Sequence, residues 1–254
     1  MAFDVAGTSY GKFMGRFSEK LSAPFADFSG VTAGMRVVDV GCGPGALTAQ
    51  LVDRLGADSV AGVDPSETFL EAVRQRLPDV DIRKAPAETL PYGDGEFDAA
   101  LAQLVVHFMT DPVAGLREMG RVTRPGGVVA ATVWDHAGGR GPLSLFWDAV
   151  KEVDPDARDE SSLAGNVEGE LERLLAESGL ADVEHGELTV TRAYTSFDDW
   201  WEPYTLGVGP AGDFVRSLDD ATRERVVAAC RERVPDGAFT LDATAWAARG
   251  KVAS

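Results

Sequence analysis

The sequence predicts an α/β fold built on a parallel sheet with crossover helices. Two observations carry that prediction. Short apolar runs alternate with segments whose apolar residues recur every three or four positions, which is the order of strand–helix–strand units. A glycine turn, Gly41-Cys42-Gly43-Pro44-Gly45, separates the first of those runs from the helix that follows it. The length, 254 residues, fits one large α/β domain that buries its own core.

The elements follow in order. Phe13, Phe17, Leu21 and Phe25 form one apolar stripe at four-residue spacing, which predicts an N-terminal helix. Met35 to Val40 is the first strand. Leu47, Leu51 and Leu55 mark the helix after the glycines. Ser59 to Asp64 is the second strand, and the next helix is expected to open with Asp64 as cap and Pro65 at its first position, with Phe69, Leu70, Val73 and Leu77 inward. Val80 to Ala85 is a third strand and Phe97 to Val106 a fourth. Asp111-Pro112 starts a helix with Val113, Leu116, Met119 and Val122 inward. Arg124-Pro125-Gly126-Gly127 reads as a turn into the fifth strand, Val128 to Asp135.

The second half is looser. Leu143, Phe146, Trp147 and Val150 predict a helix, and the acidic stretch Asp154 to Asn166 reads as a loop or lid. Leu171, Leu174 and Leu175 mark another helix, stopped near Gly179. Ala181 to Tyr194 and Ala238 to Val252 read as long strands, with a helix carrying Val226, Val227, Cys230 and Val234 between them.

Charge narrows the function. With 24 Lys and Arg against 41 Asp and Glu, the formal net charge is −17. Such a surface repels phosphate backbones and anionic membranes, so neither nucleic acid nor a membrane is an expected partner. A small-molecule substrate fits, because a local pocket can carry the opposite sign. The two cysteines, Cys42 and Cys230, make no disulfide framework. The start of the chain lacks the apolar core of a secretory signal, no run is long enough to span a membrane, and a cytoplasmic protein is expected.

Residues 37–51, Val-Val-Asp-Val-Gly-Cys-Gly-Pro-Gly-Ala-Leu-Thr-Ala-Gln-Leu, carry the chemistry. Their glycines let backbone approach a ligand where a Cβ would collide. They sit at the carboxyl end of the first strand, where open α/β sheets bind ligands. Asp64, ending the second strand, is placed to accept both ribose hydroxyls of an adenosine. The glycine pattern alone also fits a dinucleotide. Asp39, however, opposes a pyrophosphate and suits an ammonium, which favours S-adenosylmethionine (SAM).

With Val37–Thr48, Val60–Pro78, Ala87–Met109 and Leu116–Asp135 in this order, the chain resembles the class I SAM-dependent methyltransferases, in particular the type 11 small-molecule group. The resemblance covers about residues 10 to 135. It implies a Rossmann-like, seven-stranded, mostly parallel sheet whose last strand is antiparallel, with helices on both faces and a helical lid. It implies a single domain over 1–254: N-terminal cofactor-capping helices in 1–30, the SAM-binding core in 31–135, and lid or substrate-recognition segments in 136–168 and 195–235. It gives Asp39 and the Gly41 and Gly43 backbone the methionine end of SAM, and Asp64 the ribose. It sets Pro65 and Ser66 beside the adenine, and Ala102 and Gln103 beside the ammonium. Tyr10 and Arg16 resemble an N-terminal helix that closes over the cofactor, with Arg16 on its carboxylate. Similar sequences carry an acid for the adenine where this chain has Pro86, which leaves the adenine to the Ala87 N–H and to Glu88.

Methyl transfer from a sulfonium is an in-line displacement that mainly needs alignment. Of the three histidines, His107 follows the fourth strand and is the candidate base, with His136 second. No cluster has metal-ligand spacing. Trp134, Trp147, Trp200, Trp201 and Tyr204 fall in segments that either cover the pocket or form a core beneath the lid. The expected activity is methyl transfer to a small molecule, with S-adenosylhomocysteine as coproduct, by a monomer or homodimer. The alternatives are a silent SAM-binding module and, behind it, an NAD(P)-dependent oxidoreductase.

Overall fold

The protein is described from a computed structural model over residues 15–253. After helix α1 (Arg16–Phe28), strands β1 (Val37–Val40), β2 (Val60–Asp64) and β3 (Asp81–Lys84) alternate with helices α2 (Ala46–Leu55) and α3 (Glu67–Arg76). Strand β4 (Phe97–Gln103), helix α4 (Pro112–Val122) and strand β5 (Thr123–Trp134) follow. The second half contains α5 (Ser144–Val153), α6 (Glu170–Glu177), β6 (Ala181–Tyr194), α7 (Phe197–Trp201), α8 (Gly209–Ser217), α9 (Asp220–Arg231) and β7 (Phe239–Lys251). The sheet has seven strands in the order β3-β2-β1-β4-β5-β7-β6. Strands β1 to β5 are mutually parallel, and β7 runs antiparallel to both β5 and β6. This is the expected seven-stranded arrangement with an antiparallel last strand.

Strand alternation divides the core in two. Ala99 and Leu101 of β4 pack with Val37, Leu47, Leu51, Leu70 and Val73 on the side of α1, α2 and α3. Ala100 and Ala102 face the other way, onto Leu116, Met119 and Val122 of α4 and Leu171, Leu174 and Leu175 of α6. The apolar stripe of α1 behaves as its spacing predicts, with Phe17, Leu21 and Phe25 buried. Phe13 and Tyr10 lie outside the described residues. A third cluster, rich in aromatic rings, sits under α5, α7, α8 and α9.

Two local expectations are corrected. Asp64 does not cap α3. Ser66 does, its side chain accepting the Phe69 N–H, and Pro65 precedes the helix. Asp64 is held at the strand end because its two oxygens accept different backbone N–H groups, from Gly43 and Ser66. Residues 124–127 do not precede β5 but bulge out of it. Phe97 pairs with Thr123 and Ala99 with Val128, so the partner strand loops out between these points. Asp111 caps α4 as expected, accepting the Ala114 N–H, with Pro112 at the first turn.

Candidate active site

The carboxyl ends of β1, β2 and β4 open into a cleft of about 560 Å³. Its floor is the turn between β1 and α2. Gly41 N and Cys42 N both donate to Val63 O, tying the turn to β2. Gly41 has φ +72°, and a Cβ there would stand 2.6 Å from Val105 Cγ1, so only glycine lets the segment after β4 close on the turn. Gly43 has φ +52° with open space where a Cβ would be, a gap on the cleft side that leaves backbone to a ligand.

Two acids face this turn. Asp64 Oδ2 accepts from Gly43 N at 2.9 Å and Oδ1 from Ser66 N at 2.8 Å. These bonds fix the carboxylate with remaining acceptor capacity on both oxygens. Burial raises its pKa, against the pull of those two amides. Asp39 is buried at the end of β1, and its Oδ2 accepts from Thr48 Oγ1 at 2.7 Å. Burial pushes the Asp39 carboxyl up to about 7; the Thr48 hydroxyl opposes this and the nearby Asp64 charge adds to it. Thr48 has no place in the sequence expectations. Its signal is its position in the first turn of α2, directly over the end of β1.

The structure brings Asp39, Gly41, Gly43, Asp64, Pro65, Ala87, Glu88 and Gln103 to one cleft. Gln103 Nε2 donates to Ser18 O at 3.0 Å and to Ser22 Oγ at 3.1 Å, while its Oε1 is buried without a partner. This end of the cleft therefore offers two acceptors, Asp39 and Gln103 Oε1, and fits a cationic donor such as an ammonium. Ala102 is fully buried within β4, opposite Ala131. Leu104, next in the chain, takes φ +63°, a backbone state that a leucine adopts only when its surroundings enforce it.

The other expected residues stand elsewhere. Arg16 is engaged by α7: its Nη1 donates to Asp199 Oδ1 at 2.8 Å and to Asp199 O at 3.3 Å. Glu88 reaches the cleft, but its Oε1 accepts from Thr110 N at 2.7 Å and Asp111 N at 3.1 Å, which commits it to the start of α4. Around Pro86, Ala85 and Ala87 contribute only apolar side chains to the cleft. His107 lies in the short turn Val106–Phe108 after β4, outside the cleft lining. Its Nδ1 is buried without a partner, and burial, with His136 nearby, pushes the imidazole down to about 3. His136 is likewise pushed down to about 4 by burial. Both are neutral at pH 7, hydrogen-bonding groups rather than stores of charge. Trp134, Trp147, Trp200 and Tyr204 are buried in the aromatic cluster, where Tyr204 stacks on Phe146 at 4.4 Å between ring centroids.

No group of three His, Cys, Asp or Glu among the described residues is placed to hold a metal ion. No helix among them is long and apolar enough to cross a membrane.

Comparison with known proteins agrees with this geometry. Residues 38–131 match the family described as a methyltransferase domain. Over 103 residues the chain is 41% identical to a protein of Mycobacterium tuberculosis named as a methyltransferase, a match covering 41% of each chain. Over 110 residues it is 36% identical to the demethylmenaquinone methyltransferase of Renibacterium salmoninarum, covering 43% of this chain and 46% of that one. The match thus spans less than half the length of these curated relatives. The fold is like that of phosphoethanolamine N-methyltransferase 2 from Haemonchus contortus, solved in complex with SAM. The TM-score is 0.58 at 16% identity, covering 97% of this chain and 57% of that one. By this match, this strand order and this likeness, residues 38–131 belong to the methyltransferase-domain family and the chain has the fold of the class I SAM-dependent methyltransferases.

Proposed function

We propose that the protein binds SAM in the cleft over β1, β2 and β4 and transfers its methyl group to a small-molecule acceptor. The observation that carries this reading is the pairing of a fixed acid at the end of β2 with a second end where Asp39 and Gln103 Oε1 offer acceptors. Asp64 holds the ribose hydroxyls, since its carboxylate is already oriented by Gly43 and Ser66. Asp39 and Gln103 Oε1 hold the ammonium, and the Gly41–Gly43 backbone lies along the chain of the methionine. Pro65 and Ala87 flank the adenine.

Bound SAM supplies a methyl group on a sulfonium, an electrophile that needs no further activation. The task of the protein is then alignment and exclusion of water. A charged phosphate pair would meet Asp39, which disfavours a dinucleotide in the same cleft. The demethylmenaquinone relative does not identify the acceptor, because the family match ends at residue 131, before the segments that cover the sheet ends.

A silent SAM-binding module is the second reading, favoured by one observation. Pro86 carries no acceptor, and Glu88 is committed to Thr110 and Asp111, so adenine recognition rests on few side chains. Incubation with methyl-labelled SAM and a small-molecule extract separates the two. Label in a new small molecule supports the enzyme. Tight S-adenosylhomocysteine binding with no label in any fraction supports the module.

A further inference from the structure

Helix α1 touches both the cleft and the segment that follows β6. Ser18 lines the cleft. Its carbonyl accepts from Gln103 Nε2 at 3.0 Å and from Ser22 Oγ at 2.8 Å, and Ser22 Oγ accepts from the same Gln103 nitrogen at 3.1 Å. The other end of that amide, Oε1, is the buried acceptor without a partner. Two residues before Ser18, Arg16 Nη1 donates to Asp199 Oδ1 of α7 at 2.8 Å. Between them Phe17 packs edge-on against Trp134, 6.2 Å between ring centroids, in the aromatic cluster that also holds Phe197 and Trp200 of α7. Arg16 itself is not among the cleft residues, so the contact of α1 with a bound ligand runs through Ser18 and Gln103.

Pro24 divides the helix. It has no N–H for Lys20 O and interrupts the helical ladder there. Around and past it, α1 is fastened to α2 and β7: Arg54 donates to Ala23 O and Asp27 Oδ1, and Arg249 to Phe28 O. The first two turns are held instead by Gln103, by Phe17 and by the Arg16–Asp199 pair. An exposed ion pair, such as Glu19 with Arg76, contributes little. Arg16 and Asp199 are more enclosed, at 27% and 23% exposure, and the second Asp199 oxygen is fixed by Thr195 N and Oγ1.

We propose that the first two turns of α1 are a strap that couples occupancy of the cleft to the order of residues 195–206, so that the cofactor binds first and firms the acceptor's surroundings. Gln103 is the link at the cleft. Arg16 and Asp199 are positioning residues and form the link at the other end. The inference rests on the SAM reading of the cleft. A ligand shifts such an equilibrium only if it binds the two states unequally. Here one side chain makes the difference. With the strap docked, Ser18 O and Ser22 Oγ hold Gln103 Nε2, which fixes Oε1 as an acceptor for the ammonium. With the strap released, the amide is free to turn and that acceptor is lost. An ammonium on Oε1 also polarises the amide and strengthens its bonds to α1.

Amide hydrogen exchange on the full chain, with and without saturating S-adenosylhomocysteine, tests the coupling, after calorimetry has measured the affinity. The ligand is expected to slow exchange in 195–206 by about fivefold or more, alongside the glycine turn at 41–45. In Asp199→Asn and in Arg16→Gln the slowing at 41–45 should remain, and that at 195–206 should fall to within about twofold of none. By reciprocity, each variant should lose S-adenosylhomocysteine affinity by at most the factor lost at 195–206. A merely structural ion pair would speed exchange at 195–206 equally with and without ligand, and that unchanged ratio overturns the proposal. So does a wild-type segment that ignores the ligand. An affinity loss in Arg16→Gln about tenfold beyond that in Asp199→Asn also overturns it, and puts Arg16 on the cofactor carboxylate instead. If the chain binds no S-adenosylhomocysteine, the SAM reading fails and the free chain decides the strap. There Gln103→Leu should speed exchange at 195–206 by about fivefold or more relative to α3, and equal changes in the two segments would overturn it.

Discussion

The floor of the cleft and the cover over the sheet ends treat their polar groups differently. On the floor, both Asp64 oxygens accept backbone N–H groups, Asp39 accepts from Thr48, and Glu88 takes two amides at the start of α4. In the cover, Ser144, Asn166 and Trp200 keep buried polar atoms unpaired. The acids of the floor are fixed before any ligand arrives, and Gln103 Oε1 is left open beside them, so the floor suits one ligand of fixed shape. The cover is incomplete, as expected of a surface finished by a ligand whose chemistry differs from protein to protein. The match to known methyltransferases follows the same divide and stops at residue 131, with the floor inside it and the cover outside.

Four experiments would sharpen or break that contrast, ordered by their effect on S-adenosylhomocysteine binding. Gly41→Ala forces a Cβ against Val105 at φ +72°. It should weaken binding by 100-fold or more and lower stability by about 2–4 kcal/mol. Gly43→Ala, which meets open space at φ +52°, should lower stability by only about 1 kcal/mol. Equal losses in denaturant unfolding would end the argument from close approach.

Asp64→Ala should weaken binding by about 1–3 kcal/mol through lost charge-assisted ribose bonds. Unchanged affinity in calorimetry would remove Asp64 from the ribose.

The third experiment is a pH series. Asp39 titrates near 7 in the fold against 3.8 ordinarily, so its folded-state pKa is raised. The folded chain keeps that proton where the unfolded chain has lost it, and the resulting stability, present in acid, is lost as pH rises from about 4 through 7. His107 and His136 act oppositely. Held near 3 and 4, they are neutral in the fold but charged when unfolded, and so destabilise the fold as pH falls below about 6.5. Asp39→Asn should therefore gain most over wild type at pH 8 in melting experiments on the free chain. It should also abolish a several-fold rise in S-adenosylhomocysteine affinity between pH 6 and 8. Parallel melting curves for the two proteins across that range would refute the Asp39 assignment.

The smallest effect on binding is expected at the border of the two regions. His107→Ala should leave S-adenosylhomocysteine affinity within about threefold while slowing turnover of the acceptor. A normal kcat would reduce His107 to packing.

Much of the floor was legible because its signals are local. Asp39, the glycines and Asp64 sit within one strand–turn–helix–strand stretch, and Asp111-Pro112 announces its own helix start. Asp64 reads as a cap because an acid before Pro-Ser has a cap's composition, whereas its partners in the fold include Gly43, 21 positions back. The partner of Arg16 was out of reach, since Asp199 lies 183 positions away. Glu160 and Asn166 lie in a polar stretch that reads as solvated loop, yet the fold buries both and closes the loop through Asn166 Nδ2 donating to Glu160 O. The cover's helices α7 and α8 and its aromatic cluster likewise depend on contacts between distant segments.

The central claim is that the cleft over β1, β2 and β4 is a SAM site, and calorimetric titration of the full chain with S-adenosylhomocysteine, run beside NADH, tests it most directly. The account predicts one-to-one binding of S-adenosylhomocysteine, lost or weakened in Asp64→Ala, and no binding of NADH. Binding of NADH alone, or of neither ligand, would contradict it.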